Sequence, residues 1–103
     1  MLITVHTNHE KDESVLAFSG DFTFDKYNEF AAVYRPLLGK SSRYVLDFTR
    51  LNYLDSSALG MMLLFKERAG VCDGCIVIRA QAGTVTDILN VARFNHLFTI
   101  ETI

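Results

Sequence analysis

Few side chains in this sequence could do chemistry, and the best placed are in Leu54-Asp55-Ser56-Ser57. They stand where an apolar run, Tyr44-Val45-Leu46-Asp47-Phe48, has ended and a helical pattern begins. The first amides of a helix lack intrahelical acceptors and carry a partial positive charge, so an anion is well placed there. A serine at that point can carry a phosphate and keep its helix. Asp55 and Ser56 are equally residue types that do no more than cap helices. Cys72-Asp73-Gly74-Cys75 is a CxxC. Redox pairs of the thioredoxin type open a helix, where the thiolate is stabilised. This pair instead follows a helical pattern and runs into a strand, and Asp73 disfavours a thiolate. A zinc site needs two further ligands, and His6, His9 and His96 belong to distant segments. Asp73-Gly74 suits a tight turn, so both cysteines read as structural, Cys75 starting the next strand. The histidines show no Ser-His-Asp spacing, and the six glycines are scattered singly, without a phosphate loop. Asp21 and Asp25 flank a turn, where capping accounts for Asp25. Arg35, Lys40 and Arg43 form a small cluster that reads as a solvated rim. Nothing here assembles a catalytic centre, a metal site or a cofactor site, which predicts a protein that binds instead of catalysing.

The elements that must position these residues follow from periodicity. Apolar residues alternate through Leu2–Thr7 and again through Ser14–Ser19, separated by polar Asn8–Glu13, which predicts an opening hairpin ended by Gly20. From Asp25 the period changes, and Tyr27, Phe30, Ala31, Tyr34, Leu37 and Leu38 share one helical face, with Asp25 as N-cap. Pro36 is awkward there and predicts a kink in the last turn. Tyr44–Phe48 is nearly continuously apolar, as in a strand covered on both faces. A second helix is expected from Ser57 to Ala69, closed by Gly70. Cys75–Ile78 reads as another buried strand. Thr84-Val85-Thr86-Asp87 resembles a capping box opening a short helix, and Leu97–Ile100 reads as a last edge strand. The order β-β-α-β-α-β-α-β predicts an α/β fold whose central strands pair in parallel.

Composition limits the function classes. A chain of 103 residues suffices for one domain, expected to span 1–103. Half the residues are apolar, 21% are charged and only one is proline, a globular composition. The net charge is −2 and the pI about 5.8, with no basic stripe of the kind a nucleic-acid binder carries. The N-terminus shows no basic segment followed by an apolar core, and the run Leu54–Phe65 is too short to span a membrane. These features predict a cytoplasmic protein without direct membrane insertion.

Asp47-Phe48-Thr49, then Leu51, then Leu54-Asp55-Ser56-Ser57-Ala58-Leu59-Gly60, resembles the core motif of STAS domains, the anti-sigma factor antagonist family. Gly20-Asp21-Phe22 resembles that family's first turn, and Val91-Ala92-Arg93-Phe94 followed by Leu97-Phe98 resembles its C-terminal signature. The resemblance covers nearly the whole chain and implies a STAS-type mixed sheet packed with helices. It also implies that the serine after the motif aspartate is phosphorylated by an anti-sigma factor acting as a serine kinase, and that a phosphatase reverses this. Carried over, the acceptor is Ser56, with Ser57 as fallback and Asp55 bordering the site. Gly60 would let the helix approach its neighbours closely. Ala58 stands where the family usually has glycine, and Thr23 where an acidic residue is common near the partner surface. The family's final helix is expected to be missing or replaced.

The second helix adds a surface question. Ala58–Phe65 contains no charged residue. Leu59, Met62 and Leu63 make a core stripe, while Ala58, Met61 and Phe65 form another on a different face, and a surface helix needs only one. The spare stripe either faces a partner beside Ser56 or is buried by the adjacent helix. With the resemblance, the expected partner surface is Asp21, Thr23, Asp55, Ser56, Ser57, Ala58, Met61 and Phe65. The resulting expectation is an anti-sigma factor antagonist that occupies a kinase-like partner when unphosphorylated and lets go when Ser56 is phosphorylated, with ATP supplied by the partner. The alternative is a STAS accessory subunit of an ABC-type lipid transporter, similar in fold and lacking the switch. A thiol-disulfide enzyme using Cys72 and Cys75 is the third reading.

Overall fold

In the computed structural model, which describes residues 1–103, the alternating segments pair as an antiparallel hairpin of β1 (Leu2–Asn8) and β2 (Glu13–Phe22). The register runs from Leu2 opposite Ser19 to Asn8 opposite Glu13. β2 continues through Gly20, which takes φ +88° beside the backbone of Met1, so this glycine bends the strand instead of ending it. β3 (Arg43–Leu54) joins β2 in parallel, β4 (Ile76–Ala80) joins β3 and β5 (Thr99–Thr102) joins β4, giving the sheet order β1-β2-β3-β4-β5. The architecture is the expected mixed α/β sheet with parallel central strands. β5 begins later than the apolar pattern suggests, because Phe94–His96 form a 3-10 turn and the Phe98 amide bonds the Phe94 carbonyl.

The helices α1 (Tyr27–Tyr34), α2 (Ser56–Ala69) and α3 (Thr84–Val91) bury their apolar residues in one cluster with a single face of the sheet. Leu16 and Phe18 of β2, Tyr44, Leu46 and Phe48 of β3, and Ile76 and Ile78 of β4 supply that face. Val45 and Val77 are also buried, on the opposite face, where Val15, Val45 and Val77 lie in register across three strands. The unbroken apolar run of β3 therefore comes from helices on one side and from neighbouring strands on the other.

Aromatic rings join the layers. Phe18 meets Phe48 edge-on at 4.9 Å between centroids, Phe22 meets Phe30 at 5.1 Å, and Tyr34 and Tyr44 approach Phe65 at 5.1 and 5.3 Å. Offset and edge contacts of this kind add to the area they bury. Pro36 acts earlier than a kink: α1 stops at Tyr34 and Arg35–Leu37 form a 3-10 turn. The Leu37 carbonyl then accepts a 2.7 Å bond from the Tyr44 hydroxyl, whose pKa burial pushes up.

The phase of α2 corrects the sequence pattern. Ala58, Met61, Met62 and Phe65 are buried, whereas Leu59 is half-buried and Leu63 is 40% exposed. Ala58, Met61 and Phe65 are therefore core and cannot contact a partner. Their positions follow the i, i+3, i+4, i+7 template in full, and the larger ring of Phe65 fills the space between α1 and β3. Gly60 is exposed, and a Cβ added there would meet nothing within 4 Å, so it does not serve close helix packing. Ile88 is only half-buried, unlike Leu89. In the turn before β4, Cys72 and Cys75 are joined as a disulfide.

The two α2 stripes separate by mutation. Phe65→Ala should destabilise the domain by about 3–5 kcal/mol, as expected for a buried ring, while Leu63→Ala should cost under about 1 kcal/mol. Gly60→Ala should stabilise it by about 0.5–1 kcal/mol, because an exposed helical glycine loses the most chain entropy on folding. Urea unfolding of the three variants measures all of this.

Candidate functional site

The parallel pairing of β2 with β3 brings their C-terminal ends to one edge of the sheet, with Asp21 opposite Tyr53 and Phe22 opposite Leu54. The chain leaves β3 at Asp55, whose extended backbone (φ −100°, ψ 178°) makes it the N-cap of α2. One carboxylate oxygen, Oδ1, accepts from the Ala58 amide at 2.9 Å, satisfying a helix donor that otherwise has no partner. The other, Oδ2, accepts from the Phe24 amide at 3.0 Å. The Asp55 amide in turn donates to the Phe22 carbonyl at 3.1 Å. A single side chain thus ties the start of α2 to the connection that follows β2.

Ser56 and Ser57 occupy the first two positions of α2 and both are exposed. Neither hydroxyl is held by a protein hydrogen bond; the cap is made by Asp55 alone. The structure brings Thr23 close to this edge through Phe24 and leaves Asp21 exposed at the end of β2. Asp25 does not cap α1. Its carboxylate accepts from the Lys26 ammonium at 2.8 Å and from the Thr23 hydroxyl, within a 3-10 turn at Phe24–Lys26. The Lys26 bond first, and the Thr23 bond second, hold the Asp25 carboxyl down at about 2. The same pairing pushes the Lys26 ammonium up.

Beside Ser56 the surface turns apolar. A shallow open groove of about 470 Å³ runs between α2 and α3, lined by Tyr53, Leu59, Ile88, Val91 and Ala92 with Asp87 at its rim. Val91 is 85% exposed and Tyr53 44%, and Phe24, whose amide bonds Asp55, is 72% exposed. Ala58, Met61 and Phe65, being buried, form no part of this apolar surface. A signal for the exposed apolar residues was present: α3 and its C-cap carry Val85, Ile88, Leu89, Val91 and Ala92, more apolar positions than one face can bury. No group of three or more His, Cys, Asp or Glu side chains lies close enough to hold a metal ion. No helix is long and apolar enough to cross a membrane.

A family model described as "Mlab, STAS domain" matches residues 5–100. The chain belongs to the STAS domain family. A STAS-domain containing protein of Pseudomonas aeruginosa (strain UCBPP-PA14), PA14_20770, is 34% identical over 100 residues, spanning 97% of this chain and 99% of that one. Solved structures share the STAS fold at lower identity. The unphosphorylated anti-sigma factor antagonist SpoIIAA aligns with TM-score 0.62 and 14% identity over 89% of this chain and 98% of its own. A Thermotoga maritima protein assigned provisionally as an anti-sigma factor antagonist aligns at 0.75, with 11% identity over 98% and 86%. A DUF3478-family protein of Shewanella loihica PV-4 with a SpoIIAA-like fold aligns at 0.63, with 14% identity over 99% and 84%. In this STAS domain the motif residues Asp55-Ser56-Ser57 stand at the carboxyl edge of parallel strands, where ligands of open α/β sheets commonly bind.

Asp55→Ala should destabilise the domain by about 1–2 kcal/mol in urea unfolding, through loss of a helix cap and of the tether to Phe24. Asp55→Asn, which keeps a single acceptor oxygen, should fall between Ala and wild type. The Asp25 carboxyl should titrate near 2 by NMR and move up towards 3.8 in Lys26→Met. Its folded pKa is the depressed one, so the pairing contributes above about pH 4 and is lost as pH falls towards 2.

Proposed function

We propose that this STAS domain is an anti-sigma factor antagonist that switches partners. Unphosphorylated, it binds a serine-kinase-type anti-sigma factor; phosphorylation of Ser56 by that kinase releases it, and a phosphatase restores it. The observation that carries this reading is an exposed serine at the first position of α2, its hydroxyl unengaged, flanked by an apolar groove. Asp21, Thr23, Asp55 and Ser57 form the polar rim, Tyr53, Leu59 and Val91 the apolar part. ATP belongs to the partner, so the STAS domain needs no cofactor of its own. SpoIIAA, an anti-sigma factor antagonist whose structure is of the unphosphorylated form, supports the reading by its shared fold.

The switch rests on a change of sign between the free domain and the complex. A phosphate adds about −1.5 to −2 charges. In the free domain the N-terminus of α2 stabilises a nearby anion by about 0.3–1 kcal/mol. At an apolar interface that offers no matching cation, the same charge costs on the order of 2–5 kcal/mol. The interfacial effect is the larger, and at about 1.4 kcal/mol per tenfold it amounts to roughly thirty- to several-thousand-fold in affinity.

Affinity for the kinase-type anti-sigma factor of the same organism, measured with melting temperature as control, tests this. Ser56→Ala should bind and stay bound with ATP present. Ser56→Asp should weaken binding in part, and phosphorylated wild type most, all with nearly unchanged melting. A response confined to Ser57→Ala would move the acceptor by one residue. Equal affinity across the set would replace the switch with a constitutive subunit of the ABC-transporter type. On the groove, Val91→Glu should weaken binding at least tenfold with a stability change within about 1 kcal/mol. Met61→Glu should instead unfold the domain by forcing a charge into its core.

A further inference from the structure

The CxxC lies at the other end of α2 from Ser56, in the loop between Gly70 and Ile76, and its function is not accounted for by the partner switch. Cys72 and Cys75 form a disulfide with their Cα atoms 5.2 Å apart, within the usual span of such bonds. Cys72 is exposed and Cys75 half-buried. The turn is held by bonds that do not involve sulfur. The Cys75 amide donates to the Cys72 carbonyl at 3.0 Å, and the Tyr44 amide donates to the Cys75 carbonyl at 2.9 Å. The Thr99 hydroxyl donates to the Gly74 carbonyl at 3.3 Å, and Gly74 takes φ +83°, which a glycine adopts without strain.

Two consequences follow. Breaking the S–S bond leaves the thiols facing each other, because the backbone turn persists, so the bond re-forms by a local step. Neither cysteine belongs to the buried core cluster, so opening the bond leaves no cavity. The bond closes a loop with a sequence separation of only 3, the kind that constrains an unfolded chain least. A disulfide that stabilises little, sits at the surface and is preorganised to re-form has the attributes of a labile pair.

We propose that Cys72–Cys75 is a reversible two-electron redox site of this STAS domain, in exchange with thiol–disulfide couples in solution. In reduction, a thiolate of an external dithiol attacks the exposed Cys72 Sγ. A new S–S bond forms there as the Cys72–Cys75 bond breaks, and the electron pair leaves on Cys75 Sγ, which takes a proton from water. The dithiol's second thiolate then attacks its own sulfur in the mixed disulfide and expels Cys72 as a thiolate, which is protonated in turn. The dithiol is oxidised to its cyclic disulfide and the protein gains two electrons and two protons. Oxidation by glutathione disulfide runs the same exchanges backwards, releasing two glutathione thiols. α2 has 14 residues, so the pair lies about 20 Å from Ser56 at 1.5 Å per residue, and its state should change the sulfurs without altering the partner face.

The test equilibrates the full chain in stepped ratios of reduced and oxidised dithiothreitol or glutathione, quenches with acid, alkylates and counts labels by mass. The expected result is one transition from zero to two labels with a two-electron slope, identical from both directions. The melting temperature should differ by only a few degrees between its ends. In Cys75→Ser, glutathione disulfide should capture Cys72 readily; in Cys72→Ser, capture at Cys75 should be several-fold slower. The proposal is overturned if the pair stays as two thiols in oxidised glutathione. It is equally overturned if the disulfide resists dithiothreitol until urea unfolds the chain, and faster capture at Cys75 would overturn the assignment of the attacked sulfur. None of these readouts depends on Ser56, so failure here leaves the partner switch untouched.

Discussion

The burial of one face of β3 against α1 and α2 is the constraint on which the rest of the structure depends. Tyr44, Leu46 and Phe48 project onto that face, and Phe18, Phe30, Tyr34 and Phe65 close over it as a continuous ring cluster. Each such ring buries on the order of 150–250 Å², or about 4–6 kcal/mol at about 25 cal/mol per Å² as an upper bound. In a domain whose net stability is expected near 5–15 kcal/mol, no arrangement that exposed these rings would survive. Because Phe65 must enter this cluster, the rotation of α2 about its axis is settled. With that rotation set, Leu59 and Leu63 are carried outward and Ser56 is left at the surface.

The carboxylate of Asp55 ties this packing to the start of α2. Its two oxygens serve two backbone amides from different parts of the chain, one in α2 and one after β2. The helix cap therefore does not draw on the serines, and both hydroxyls remain available. An apolar groove next to a capped, unencumbered helix start has an uncommon property: a charge added there is tolerated by the domain and opposed by whatever apolar surface covers it. Gly60 fits the same logic. It lies one turn after Ser56 on an exposed face, where alanine would favour the helix, and it leaves bare backbone near that serine.

The turn after α2 has a different physical character. Its shape is held by backbone hydrogen bonds and a left-handed glycine, so the sulfur–sulfur bond is added to a geometry that already exists. The 14-residue helix between the two ends, its core face buried, separates the surface at Ser56 from the turn at Cys72. One small domain thereby keeps two separate chemical handles, a hydroxyl at one end of α2 and a disulfide at the other.

The sequence by itself determined the element order, the parallel centre of the sheet, the Gly70 end of α2 and the position of Asp55-Ser56-Ser57 at its start. These are local properties: alternation, helical period, capping chemistry and a short motif are all written within a few consecutive residues. Only the tertiary structure decided which stripe of α2 is buried, because Ala58–Phe65 is uncharged all round and either stripe satisfies a hydropathy count. Packing made the choice, since Phe65 fills the space between α1 and β3. The same holds for the groove of Tyr53, Leu59 and Val91, whose residues come from separate segments and meet only because α3 packs beside β3, with α2 across the groove. It holds too for Asp25, read as a helix cap, whose carboxylate is taken by Lys26 and Thr23. The cysteines read only as structural residues around a tight turn; their joining as a disulfide came from the turn's conformation, which non-local bonds from Tyr44 and Thr99 complete. Local pattern names the residues that could act; three-dimensional packing decides which of them face the solvent, because burial is a property of neighbours that the chain brings from elsewhere.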